Sequence, residues 1–167
     1  MDWKQDLIAE FDQEFAGTRR MLERVPEEKF DWKPHPKSMS IGELAAHLVS
    51  IPAWAAYTVR QSSFDVAPVG GEAYRDEPLA TRAAVLETFD RNAAEARSVL
   101  ADLTEADMDA PWSLLGGGQL YFTRPKGKVL RDFIFSHNTH HRAQLGVFLR
   151  LNDIPVPGVY GPTADEQ

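Results

Sequence analysis

Lys128-Val-Leu130-Arg-Asp-Phe133-Ile134-Phe-Ser-His137-Asn-Thr-His140-His141-Arg142-Ala-Gln144-Leu145-Gly-Val-Phe148-Leu-Arg-Leu151 is the stretch on which the fold turns. Its apolar residues return at steps of three and four, which predicts a helix from about Lys128 to Leu151. On a wheel at about 100° per residue, Leu130, Phe133, Ile134, His141, Gln144 and Phe148 all fall within about 60° of His137. His137 and His141 are four positions apart, so their imidazoles lie on this inward stripe one turn above the other. His140 falls on its shoulder.

Working outward, three more helices are expected. Trp3, Leu7, Phe11, Phe15, Thr18, Leu22 and Val25 keep helical spacing until Pro26 stops them. Pro26, Pro34 and Pro36 make the stretch up to Met39 an extended connection. Ser40-Ile-Gly-Glu43 then has the form of a capping box, opening a helix from about Ile41 to Gln61. Pro52 lies inside that helix and is expected to kink it. Pro68, Gly70, Gly71 and Pro78 mark a loop over 62–78. Val85, Phe89, Ala93, Ala96, Leu100 and Leu103 form the stripe of a third helix. The stretch from Thr104 to Gly127 is irregular, with a small hairpin expected over Trp112–Thr123 around the glycines. The tail from Ile154, rich in Pro and Gly, is expected to be non-helical. Four amphipathic helices give an all-α four-helix bundle, read as one domain over 1–167. The connections after the second and third helices are long enough for crossovers.

The chain has 167 residues, 43% of them hydrophobic and 26% charged, as expected of a globular protein. Its net charge of −7 offers no basic excess for phosphates, so no nucleic-acid partner is expected. No apolar run approaches the roughly 20 residues that span a bilayer, and the acidic N-terminus lacks a signal-peptide pattern. A cytoplasmic protein with no membrane partner is expected. Cysteine is absent, which removes thiolate ligands and cysteine nucleophiles and leaves His, Asp, Glu or water for any metal.

His47, near the edge of the second helix's stripe beside Leu44, Ile51 and Trp54, is a third inward imidazole. Three imidazoles from two helices can hold one divalent ion and leave a coordination position open. The competing reading is of buried histidines satisfied by hydrogen bonds, which the cost of burying unpaired ring nitrogens makes harder to sustain for three than for one. A zinc-protease helix needs Glu after its first His, and this one has Asn138. A di-iron bundle needs carboxylates that this helix lacks. A single ion is expected, zinc or nickel first, with iron possible. Around it, His140, Gln144 and Glu43 are candidate partners of the ligands. Glu43 is already explained by the capping box and His140 by a surface position. Arg142 is read mainly as a tie between helices. Trp54 and Tyr57 are either pocket walls or core, and His35 is expected to be exposed.

Three segments together resemble the DinB-like (damage-inducible) family: Val25-Pro-Glu-Glu…Trp32-Lys-Pro…Pro36-Lys-Ser-Met-Ser-Ile-Gly-Glu-Leu-Ala-Ala-His47-Leu; His137-x-x-His140-His141-Arg142-x-Gln144-Leu145; and Pro155-Val-Pro-Gly-Val-Tyr-Gly-Pro-Thr-Ala-Asp-Glu. The resemblance covers nearly the whole chain. It implies a four-helix bundle, often a homodimer, with a mononuclear site whose ligands here are His47, His137 and His141. It also implies relatives that use low-molecular-weight thiols, such as bacillithiol S-transferases and mycothiol-dependent maleylpyruvate isomerases. Ala143 stands where the family usually has Gly, a position that needs only a small side chain. The function expected on this basis is metal-dependent S-transfer from an external thiol to a small electrophile. The catalytic residues are unassigned. A metal-dependent hydrolase and a non-catalytic metal-binding stress-response protein are the alternatives.

Overall fold

Asp2, Ser40 and Thr81 start three of the four long helices, each accepting backbone N–H bonds of the first turn through its side chain. The computed structural model describes residues 2–166. In chain order it contains α1 (Trp3–Leu22), a 3-10 turn (Glu27–Lys29), α2 (Ile41–Arg60), β1 (Ser63–Asp65), α3 (Arg82–Ala101), α4 (Glu105–Asp109), β2 (Pro111–Gly116), β3 (Gln119–Pro125) and α5 (Lys126–Leu130). A π-helical turn (Arg131–Ser136) and α6 (His137–Leu151) continue directly from α5. The expected bundle is therefore present, its fourth helix being the run from α5 through α6.

At the start of α2, Ser40 Oγ accepts from Glu43 N–H at 3.1 Å, and Ser40 N–H donates back to Glu43 Oε2 at 2.6 Å. Pro52 lies inside α2 without ending it. Around the bundle, α2 packs mainly on α3 and α6, and α1 on the same two helices. The helices that follow each other first in sequence thus sit diagonally, which the long connections allow. Phe11, Phe15, Leu22, Leu44, Leu48, Ile51, Phe89, Leu100, Ile134, Leu145 and Leu149 belong to one buried cluster between them.

The sheet is larger than the expected hairpin. β2 and β3 pair antiparallel, and β1 adds in parallel to β2. The loop after α2 was expected to be irregular, but Asp65 pins it to the hairpin turn. Its carboxylate accepts N–H bonds from Gly117 at 3.1 Å and Gly118 at 2.8 Å. Both glycines have positive φ, 64° and 76°, which a side chain would oppose. α4 is a second departure: Thr104 and Asp107 form a capping box that starts one short helix in the stretch read as irregular.

The tail after α6 is non-helical, as expected, and returns to α1. A Cβ on Gly17 would lie 2.9 Å from Val159 Cγ1 and 3.1 Å from Arg142 Nη1, so a larger residue there would displace the tail from its seat on α1.

Candidate metal centre

The inward face of α2 presents His47, and the first two turns of α6 present His137 and His141. One ring nitrogen from each lies within 4.8 Å of the other two. His47 Nε2 and His137 Nε2 are 2.8 Å apart. The rings meet edge to face, with centroids 4.4 Å apart for His137 and His141 and 4.5 Å for His47 and His141. All three residues are partly buried.

Hydrogen bonds at the far sides of two rings set what faces inward. His47 Nδ1 is 2.7 Å from Asp76 Oδ2, and His141 Nδ1 is 2.7 Å from Gln144 Oε1. A carboxylate and an amide oxygen only accept, so both Nδ1 atoms donate. In the neutral rings each Nε2 is then a lone pair, the form that binds a metal. The donor set therefore fits a divalent ion: three imidazoles converge, and two of them have their tautomer fixed for ligation. The group could hold a metal ion.

Asp76 has several partners. Besides His47 it accepts from Ser50 Oγ at 2.5 Å and from the Tyr74 hydroxyl at 3.3 Å. Burial works to raise the Asp76 carboxyl, but hydrogen bonds from His47, Ser50 and Tyr74 outweigh it and hold its pKa below the usual value. The carboxylate orienting His47 is thus Asp76. Glu43, the candidate from sequence that the capping box already explained, is held by Ser40 N–H and by Lys33 Nζ at 2.9 Å. Replacing Asp76 with Asn should weaken metal affinity by about 10- to 100-fold, as removal of such outer partners does. Competition with a chelating indicator measures it.

Gln144, one of the candidate partners, lies against His141. His140 is exposed, with its ring 4.8 Å from that of His141. His35 is exposed and accepts from Lys37 N–H at 3.1 Å. Arg142 is a tie: it donates to the Glu14 carbonyl and carboxylate on α1, each at 2.7 Å.

Burial lowers the pKa of His137 most, and the neighbouring His141, His47 and His140 lower it further, to about 4 from 6.5. His141 is lowered for the same reasons, burial first. The sign of the linkage follows from proton uptake. Below about 6.5 the unfolded chain gains a proton at His137 that the metal-free fold refuses until about 4. This contribution to stability is present above 6.5 and is lost as pH falls from 6.5 to 4. Urea midpoints of the metal-free protein should therefore fall between about pH 7 and pH 4.5, and fall less in His137→Gln.

Beside the histidines lies a cavity of about 380 Å³, within the roughly 300–1,000 Å³ range of small-molecule sites. Its lining includes His47, His137, Trp54, Trp112, Phe122 and Phe133. The ring of Phe122 stacks on Phe133 with centroids 5.6 Å apart, and Trp54 N–H donates to the Tyr74 hydroxyl at 3.1 Å. The sheet and the loop before α3 thus wall one side of the site. Trp54 is a pocket wall, while Tyr57 stands 36% exposed.

Comparisons with known proteins agree with this architecture. The model of the DinB superfamily matches residues 10–145. The uncharacterized protein YrdA of Bacillus subtilis (strain 168) is 25% identical over 158 residues, covering 92% of this chain and 85% of that protein. The crystal structure of a DinB-like protein from Bacillus cereus ATCC 10987 superposes with a TM-score of 0.69 at 23% identity, over 89% of this chain and 92% of that one. That of the DinB-like protein YjoA from Bacillus subtilis gives 0.69 at 17% identity, over 97% and 99%.

Proposed function

The chain belongs to the DinB superfamily, and from that premise we propose that it is a metal-dependent enzyme joining a low-molecular-weight thiol to a small electrophile. The observation that carries this reading is the cavity: it reaches His47 and His137 and is lined mainly by aromatic and aliphatic side chains. A purely structural metal site has a closed shell of protein ligands, whereas the His/Cys/Asp/Glu cluster here has three members among the described residues. A divalent ion bound there, zinc or nickel first and iron next, would supply Lewis acidity and lower the pKa of an incoming thiol or water.

The chain's own residues would do the rest. Asp76 and Gln144 hold the rings of His47 and His141 in their ligating tautomers. Trp54, Phe122 and Phe133 would hold the apolar body of the electrophile and keep water away from it. In the transfer a carbon–sulfur bond forms, and the leaving group departs with the electron pair of the bond that breaks. With no cysteine in the sequence, the thiol must come from outside the chain. A homodimer belongs to the same proposal, with Val147 and Leu151, 58% and 59% exposed on α6, as contact residues.

The test is turnover. Zinc- and nickel-loaded protein is mixed with bacillithiol, mycothiol, glutathione or cysteine and with monochlorobimane, from which the thiolate displaces chloride. Thiol-dependent fluorescence above that of His47→Ala supports the proposal. Rates equal to the variant with every thiol would contradict it and leave a non-catalytic metal-binding protein.

A further inference from the structure

Arg75 lies in the wall of the same cavity, and it has neither an ion-pair nor a hydrogen-bond partner among the described residues. Its neighbour Asp76 does not serve it, because that carboxylate already takes His47, Ser50 and Tyr74. The Tyr74 hydroxyl is also engaged twice, donating to Asp76 and accepting from Trp54. Trp112 is 1% exposed, lines the cavity, and its indole N–H has no partner. Apart from the metal-facing histidines, the lining thus carries one carboxylate, Asp76, engaged on both oxygens, and two unpaired donors, Arg75 and Trp112. The remaining lining side chains are Met39, Ile51, Val66, Leu114, Phe122, Val129 and Phe133.

That imbalance selects an occupant. A molecule whose polar group is an amine would add a cation beside Arg75 and would compete with His47, Ser50 and Tyr74 for Asp76. A carboxylate offers two oxygens in the plane that a guanidinium fork recognises. Trp54 and Tyr74 stand edge to face at 5.0 Å, and Phe122 stacks on Phe133 at 17° between ring planes, so the walls suit a flat ring. We propose that the cavity is a binding site for an aromatic carboxylate, with the ring among Trp54, Phe122 and Phe133 and the carboxylate on Arg75. The inference rests on the enzymatic reading only in calling that molecule a substrate, since the binding itself needs no metal.

The test compares 2-naphthoate with its uncharged analogue 2-naphthamide by calorimetry, on metal-free and zinc-loaded protein and on Arg75→Gln. Arg75 is exposed on a loop, so its replacement leaves the core intact. On metal-free wild type, naphthoate should bind about tenfold more tightly than naphthamide, as expected for a charge-assisted pair at a partly desolvated site. In Arg75→Gln the two affinities should become equal, with that for the amide unchanged. Equal affinities in wild type, or a preference that survives in Arg75→Gln, would overturn the proposal. A preference seen only with zinc would also overturn it, making the carboxylate a metal ligand. Failure of the metal reading has its own signature, an absence of bound metal with the naphthoate preference intact.

Discussion

His141→Ala should leave the protein folded and remove most of its affinity for a divalent metal. His141 is partly buried on the second turn of α6, and truncating it removes a polar ring held by Gln144 at 2.7 Å rather than core packing. The buried residues of α6 that hold the bundle are Asn138, Arg142, Leu145 and Leu149, which the change leaves in place. The remaining two imidazoles, His47 and His137, would offer two nitrogens where a tetrahedral site with an open position needs three. The affinity loss should exceed the roughly 10- to 100-fold effect of losing an outer hydrogen-bond partner. Circular dichroism and a chelator competition on the same sample measure both halves. Wild-type metal affinity in the variant would remove His141 from the site.

Glu14→Ala should produce the largest loss of stability. Arg142 and Glu14 have side chains only 4% and 10% exposed, and their ion pair joins α1 to α6. The Tyr160 hydroxyl from the tail accepts from Arg142 at 2.5 Å and donates to Glu14 at 2.7 Å, so one pair fixes three segments. Removing the carboxylate leaves a guanidinium that cannot lose its proton buried without a counter-charge, at a cost of about 3–5 kcal/mol. Replacing both partners, as Glu14→Leu with Arg142→Met, should cost less than Glu14→Ala alone, because no charge is then stranded. Urea unfolding measures the order of the two. A double variant less stable than the single one would mean that the pair itself, rather than the stranded charge, carries the stability.

The parts of this architecture legible in the sequence are those that depend on local spacing. His137 and His141 share a helical face because they are four residues apart, and Ser40 with Glu43 marks the start of α2 for an equally local reason. His47 could be placed on an inward face, but its meeting with the other two depends on how α2 packs against α6. The π-helical turn over Arg131–Ser136 was not legible. It changes the period for one turn only, which does not disturb an apolar pattern visibly, yet it alters the phase between Phe133 and His137. Asp76 was missed altogether. It stands 29 residues from His47 in a loop that carries no helical or strand pattern. Its position depends on β1 pairing with β2, on the Tyr74 N–H donating to the Val66 carbonyl at 2.7 Å, and on Asp65 holding the glycine turn. The same long-range contacts build the cavity wall, so Arg75, Trp112 and Phe122 could not be assigned to the site beforehand.

Elemental analysis of the protein and of His47→Ala, both freed of any metal-binding tag, tests the central claim most directly. About one zinc, nickel or iron per chain in the wild type, and almost none in the variant, is the expected result for a single three-histidine site. A wild type that stays metal-free after reconstitution, or a variant that keeps its full complement, would contradict it.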